Sequence, residues 1–186
     1  MEIWDVYDNR CRLTGKTAKR GEPLGQGEYH LTVHICIFTP DGRMLIQQRA
    51  HDKSTWPSLW DITAAGSVTA GEDAHTGAHR ELYEELGLDR DFSGMRPSHV
   101  IFYQDGFGCY FFLTEEPQLD SLVLQEEEVA AVRYATLDEV IELLRTERFI
   151  PYHESFLRFL FDLKDRHSTH SLRPDLMYGK GKRGEN

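Results

Sequence analysis

Positive charge is what this chain has too little of. Its 21 Lys and Arg stand against 31 Asp and Glu, a formal net charge of −10. A phosphate backbone demands a basic surface, so a nucleic-acid polymer is excluded as the main partner, although a small nucleotide screened by a metal is not. Cysteine is scarce as well: Cys11, Cys36 and Cys109 lie far apart and form no C-x-x-C pair. That pattern predicts reduced thiols in a cytoplasmic protein rather than a disulfide framework. No apolar run approaches the roughly 18 residues of a membrane span. The start, MEIWDVYDNR, has neither a basic stretch nor an apolar run, so no membrane contact and no secretory leader are expected. Repeats and low-complexity linkers are missing too. The 186 residues, 40% of them hydrophobic, therefore read as a single domain over residues 1–165 with an N-terminal strand or hairpin extension over 1–28. The polar segment 166–186, ending GKGKRGEN, reads as a tail that is poorly ordered or packed late on the surface.

What is there alternates between strand and helix patterns. Glu2 to Tyr7 is β-prone but alternates poorly, and Arg10 to Gly27 reads as hairpin and loop. Tyr29 to Thr39 is a clear strand with Leu31, Val33, Ile35 and Ile37 on one face. Pro40-Asp41-Gly42 marks a turn, from which Met44 to Gln48 should return as the antiparallel partner. A loop over 51–58 leads to one short strand, Trp60 to Ala64. A helix is predicted from about Asp73 to Leu86, with Gly87 at its C-terminal cap. Ser98 to Tyr103 and Cys109 to Leu113 read as a hairpin through Asp105-Gly106, and Val129 to Tyr134 as a further strand. Thr136-x-x-Glu139 is a capping box opening a helix over Leu137 to Leu144, and a third helix covers His153 to Lys164. This interleaving predicts an α/β fold, an α/β/α sandwich around a mixed β-sheet.

One stretch organises the rest, GSVTAGEDAHTGAHRELYEELGL from Gly66 to Leu88. At helical geometry Glu81, Glu84 and Glu85 fall within an arc of roughly 100°, while Ala78, Leu82 and Leu86 take the neighbouring, core-facing side. Carboxylates that close repel by a few tenths of a kcal/mol per pair on an exposed helix. An all-oxygen cluster of this kind suits Mg²⁺ or Mn²⁺. A solvated acidic helix face is the bland alternative. Against it stands the full string, whose seven Gly, Glu and Arg positions would match by chance on the order of 10⁻⁸ per starting point. It reproduces the Nudix box, G-x5-E-x7-R-E-U-x-E-E-x-G-U with U aliphatic, without a departure. The chain thus resembles the Nudix superfamily, most of whose members hydrolyse nucleoside diphosphates linked to some other moiety.

Outside the box, GEYHLTVHICIF, LIQQR at 45–49, Lys53, Trp56-Pro57 and SLWDIT resemble the branch related to type I isopentenyl diphosphate isomerase. In that relative an arginine and a lysine matching Arg49 and Lys53 contact the diphosphate. Its catalytic cysteine, however, corresponds to Ala65, and the histidine after the box glycine to Ser67. Two of its metal-binding glutamates align near Gly106 and Gly108, and only His30 matches one of its histidine ligands. The isomerase branch has also lost the Arg-Glu-x-x-Glu-Glu signature that is whole here. Both signs favour a hydrolase.

The resemblance implies that Glu81, Glu84 and Glu85 hold Mg²⁺ (or Mn²⁺), together with the Gly66 carbonyl, and that Arg49 and Lys53 bind a phosphate. A glutamate should take the proton from the attacking water: Glu81, or one of Glu126, Glu127 and Glu128, of which Glu128 is carried forward. Arg80 is expected to pair with Glu72 or Glu84 rather than touch substrate. His30 and His34 share a strand face about 13 Å apart, too far to ligate one metal together. Trp56 and Trp60 are expected to serve packing before base stacking. Tyr103 lies where some subfamilies keep a specificity residue, but it carries no signature for ADP-ribose, coenzyme A or NADH. The expected partner is a small-molecule diphosphate, and the protein a monomer or homodimer. An isopentenyl-diphosphate-isomerase-like enzyme and a nucleotide sensor that binds without cleaving are the competing readings.

Overall fold

The computed structural model describes residues 2–166; the expected tail therefore lies outside the described residues. Its centre is a seven-stranded mixed sheet, entered after a separate two-stranded hairpin of β1 (Ile3–Tyr7) and β2 (Leu13–Lys19). The axis of the sheet is β3 (His30–Phe38), whose neighbours all come from later in the chain. On one edge β3 runs parallel to β8 (Gly106–Thr114), and β8 pairs antiparallel with β7 (His99–Tyr103).

The other edge of β3 is shared. Its first half pairs antiparallel with β6 (Ala64–Ser67), from Thr32 opposite Ser67 to Ile35 opposite Ala64. Its end meets β4 (Met44–Arg49) only at Phe38 opposite Met44. Beyond that point β4 diverges and pairs instead with β9 (Val129–Ala135) and β5 (Trp60–Asp61). The sheet therefore forks between β6 and β4. Thr63 bridges the fork, its buried hydroxyl accepting from Ile37 N at 2.9 Å and donating to Leu45 O at 2.5 Å.

Helix α1 (Ala74–Leu86) covers one face, and α2 (Leu137–Arg145) with α3 (Glu154–Leu163) covers the other. Alternation along β3 makes this possible. Leu31, Val33, Ile35 and Ile37 pack with Ala78, Leu82 and Leu86 of α1, whereas Cys36 and Phe38 pack with Val140, Leu143, Leu157 and Leu160. Each fully buried aliphatic side chain here contributes about 1.5–3 kcal/mol by leaving water. The helix ends follow their sequence signals. Asp73 caps α1 by accepting from His75 N and Thr76 N, and Gly87 closes it in the left-handed region at φ 70°. The Thr136–Glu139 capping box is formed in both directions at the start of α2.

Two local expectations need correction. Trp60 to Ala64 is two strands, because Trp60-Asp61 pairs with β4 and Ala64 onward with β3, on opposite prongs of the fork. Met44 to Gln48 is less the partner of β3 than of β9, since β4 turns away from β3 after one matched pair. The Arg10 to Gly27 stretch holds β2, the second strand of the expected hairpin. The hairpin it makes with β1 is fixed to the Val68–Glu72 loop by Ala70 N donating to Ile3 O (2.8 Å) and Gly71 N to Asp5 Oδ2 (2.7 Å).

Candidate active site

The fork opens into a cleft of about 1090 Å³ that reaches from the N-terminal hairpin to the start of α3. Glu81, Glu84 and Glu85 of α1 all line it, as do Gly66, Arg49, Lys53 and Glu128. Helical spacing alone places the three glutamates together, but their environments differ. Glu84 is half exposed and accepts from Arg80 Nη1 at 3.2 Å. Glu81 is mostly covered, accepts from the same nitrogen at 2.8 Å, and has its pKa raised by burial despite the arginine.

Glu85 is only 4% exposed, which corrects the expectation of an exposed acidic face. Its carboxylate accepts one hydrogen bond, from Gln47 Nε2 at 3.0 Å. Burial first, then the charges of Glu81, Asp61 and Glu128, push its pKa well above the usual carboxylate range, and the Gln47 bond offsets this only in part. Gln47 is itself buried, and its Oε1 has no partner among the described residues. A buried anion among like charges, beside an orphaned carbonyl oxygen, is a set of oxygen donors short of a cation.

Gly66 completes this corner. A Cβ there would fall on the carboxyl group of Glu81, so only glycine lets β6 pass this close to α1. Gly66→Ala should displace Glu81 and lower turnover by at least roughly 10-fold, since a misplaced group near the chemistry is costly. Activity and a metal-binding titration on the same preparation check this.

Arg80 orients the group. Its guanidinium donates to both Glu72 oxygens (2.9 and 3.0 Å), to Ser67 O (3.0 Å), and to Glu81 and Glu84. With Arg80 holding Glu81 and Glu84 and Gln47 holding Glu85, no three acidic, histidine or cysteine side chains among the described residues converge on one point as they stand. Their positions at i, i+3 and i+4 of one helix leave side-chain rotation as the step to convergence. The donor set fits a divalent cation.

The cations lie across the cleft. Arg49 donates from Nε to Thr55 O (3.1 Å) and from Nη2 to Thr55 Oγ1 (3.4 Å). Lys53 forms an ion pair with Glu128, two residues that the sequence alone gave separate roles. Trp60 is core, while Trp56 is exposed at the cleft. His30 stacks on Trp4 at 4.2 Å and His34 on Tyr110 at 4.3 Å. Tyr103 Oη, 3.3 Å from His30 Nε2, donates to Thr32 Oγ1 at 3.2 Å, and Thr32 Oγ1 lies 3.1 Å from His34 Nε2. This makes a neutral polar floor to the cleft. Gln47, Asp61 and Tyr152 were given no role from the sequence; an acid between Trp60 and Ile62, and a glutamine within an apolar strand, were the available signals for the first two.

A model of the NUDIX domain matches residues 28–159 of this chain. The chain belongs to the Nudix family. An uncharacterised Nudix hydrolase of Listeria monocytogenes is 46% identical over 170 residues, covering 91% of this chain and 99% of that protein. Members of this hydrolase family act on diphosphate linkages and generally need a divalent metal. An isopentenyl-diphosphate Delta-isomerase of Pectobacterium atrosepticum is 28% identical over 162 residues, covering 80% of this chain and 86% of the isomerase. The crystal structure of DR0079 from Deinococcus radiodurans shares the fold at 17% identity, with a TM-score of 0.69 over 85% of this chain and 98% of that one.

Within this Nudix fold the two glycines of β8, Gly106 and Gly108, face side chains of the neighbouring strands. A Cβ at Gly108 would sit 2.8 Å from the His34 ring, and one at Gly106 would meet the Tyr103 hydroxyl. Those glycines make room for rings that lie across β8, and a carboxylate at either place would clash. No helix of the described residues is long and apolar enough to cross a membrane.

Proposed function

We propose that this Nudix hydrolase cleaves the diphosphate linkage of a nucleoside diphosphate derivative, or of a nucleoside di- or triphosphate, with Mg²⁺ (or Mn²⁺). Burial of Glu85 is the observation that carries the reading: a carboxylate held by one amide among three other acids has a use for a cation, and a structural helix face does not. Glu81, Glu84, Glu85 and the Gly66 carbonyl would hold it. Bound there, a divalent ion masks phosphate charge, polarises the attacked phosphorus and acidifies a bound water.

The chain's own residues supply the rest. Arg80 is charged and fully engaged, so it fixes Glu81 and Glu84 rather than binding substrate. Glu128, poised by Lys53, takes the proton from the attacking water, a contribution of typically 10²–10⁴-fold. An arriving phosphate can draw Lys53 away from Glu128, which frees the carboxylate to act as base once substrate is bound. Arg49 binds a phosphate that is not itself attacked. Its contact is equally good in ground and transition states, so Arg49→Ala should raise KM by about 10- to 100-fold and leave kcat nearly unchanged. Steady-state kinetics would contradict this division of roles if kcat alone fell. Formation of the two phosphomonoester products from a panel of nucleoside diphosphate derivatives, with and without Mg²⁺, tests the reading as a whole. Absence of turnover on every compound would favour a sensor that binds without cleaving.

A further inference from the structure

Deeper in the cleft, a second polar feature lies among aromatic side chains. Asp61, the last residue of β5, is 3% exposed and lines the cleft. Both of its hydrogen bonds fall on one oxygen: Oδ1 accepts from Ile62 N at 2.7 Å and from the Tyr152 hydroxyl at 3.0 Å. Among the described residues nothing donates to Oδ2. Arg49 is near enough to favour the charged form, but its guanidinium is turned to Thr55 and not to this carboxylate.

Tyr110 of β8 shows the same incompleteness. It is 6% exposed and its ring is stacked between His34 (4.3 Å, 7°) and His99 (4.6 Å, 11°), which fixes where the hydroxyl points. The hydroxyl meets no partner among the described residues, and burial together with nearby charge keeps it protonated. Phe156, Tyr152 and Ile101 line the same part of the cleft. A purely structural aspartate would need only the oxygen that caps Ile62 N, and a neutral side chain would serve that at lower cost.

We propose that Asp61 and Tyr110 form a subsite that reads hydroxyl or amine donors on the organic part of the substrate, so that the enzyme takes a diphosphate carrying a sugar or nucleoside over one carrying a bare hydrocarbon. The inference rests on the diphosphate-hydrolase reading of the cleft and says which diphosphates enter it. A hydrocarbon chain leaves Oδ2 desolvated and unpaired, and sites built to pair a polar group reject analogues that lack it.

The test compares ADP-ribose with dimethylallyl diphosphate on the full-length protein. Affinity is measured by calorimetry with Ca²⁺ in place of Mg²⁺, and hydrolysis separately with Mg²⁺. Asp61→Asn keeps an oxygen for Ile62 N and Tyr152 but presents a donor to the cleft instead of an acceptor. It should weaken ADP-ribose binding by about 10- to 100-fold and change dimethylallyl diphosphate by less than about 3-fold. Tyr110→Phe should shift binding the same way by less, and because its hydroxyl has no partner among the described residues, it decides the matter if the Asp61 variant does not fold. Equal binding of both compounds to the unmutated protein, or equal losses on both in the variants, would overturn the subsite. If neither compound is hydrolysed with Mg²⁺, the catalytic reading fails while the affinities still judge the subsite.

Discussion

Glu85→Gln should cut kcat by at least roughly 10²-fold at saturating Mg²⁺ and yet make the metal-free protein more stable. The two effects share a cause. In the folded state the Glu85 pKa lies above its unfolded value, so the native protein is penalised once pH rises past the unfolded carboxylate pKa. At neutral pH the neutral amide removes that penalty and can keep the bond from Gln47. Relief of one buried, under-paired charge is worth at least about 1 kcal/mol, or a rise in Tm of about 2–4 °C for a chain of this size. A divalent cation should reverse the order by stabilising the unmutated protein and not the variant. Thermal unfolding at pH 7.5, with chelator and then with Mg²⁺, measures both. A variant that is less stable in chelator would mean that Glu85 is a satisfied structural residue.

Acid sensitivity should trace largely to His34. Stacked on Tyr110 at the floor of the cleft, it has its pKa pushed down to about 3 by burial, with the neighbouring His99 adding to the shift. A base with a depressed folded pKa contributes stability above its unfolded value of about 6.5, and that contribution is lost as pH falls toward 3. At 1.36 kcal/mol per unit the loss is at most about 5 kcal/mol at the acid limit, and smaller to the extent that the ring faces the cleft. Asp61 works the other way. Burial raises its pKa to about 6, so its protonation stabilises the fold as pH drops through that range. The total profile is a difference, and a variant isolates one side of it. His34→Phe keeps the ring stacked on Tyr110 but cannot be protonated; its stability relative to the unmutated protein should climb steadily from pH 6.5 to 4 in urea unfolding. Parallel profiles would show that His34 is not the group responsible.

Much of this was legible in the sequence because the signals were local. The α1 glutamates, the Asp73 and Gly87 caps and the Thr136 capping box all depend on spacing within a few residues, and so does the engagement of Arg80 with Glu72 and Glu84. What spacing does not carry is burial. Glu85 reads as one of three equivalent acids, and only the approach of β4 through Gln47 makes it an enclosed one. The fork is similarly hidden. Trp60 to Ala64 alternates as one strand would, and its division between two partners depends on where β4 leaves β3, a non-local event. The pairing of Lys53 with Glu128 joins residues 75 apart in the chain, and Tyr152 reaches Asp61 across 91. No local pattern predicts either.

Hydrolysis in H₂¹⁸O tests the central claim most directly. With Mg²⁺ and a nucleoside diphosphate sugar, mass analysis should find one ¹⁸O in one of the two phosphoryl products, because water attacks phosphorus. Chelation, or Glu85→Gln, should remove the labelled product. Labelled product that persists undiminished in chelator, or an isomerised prenyl diphosphate without hydrolysis, would contradict a cation-assisted hydrolase built on these glutamates.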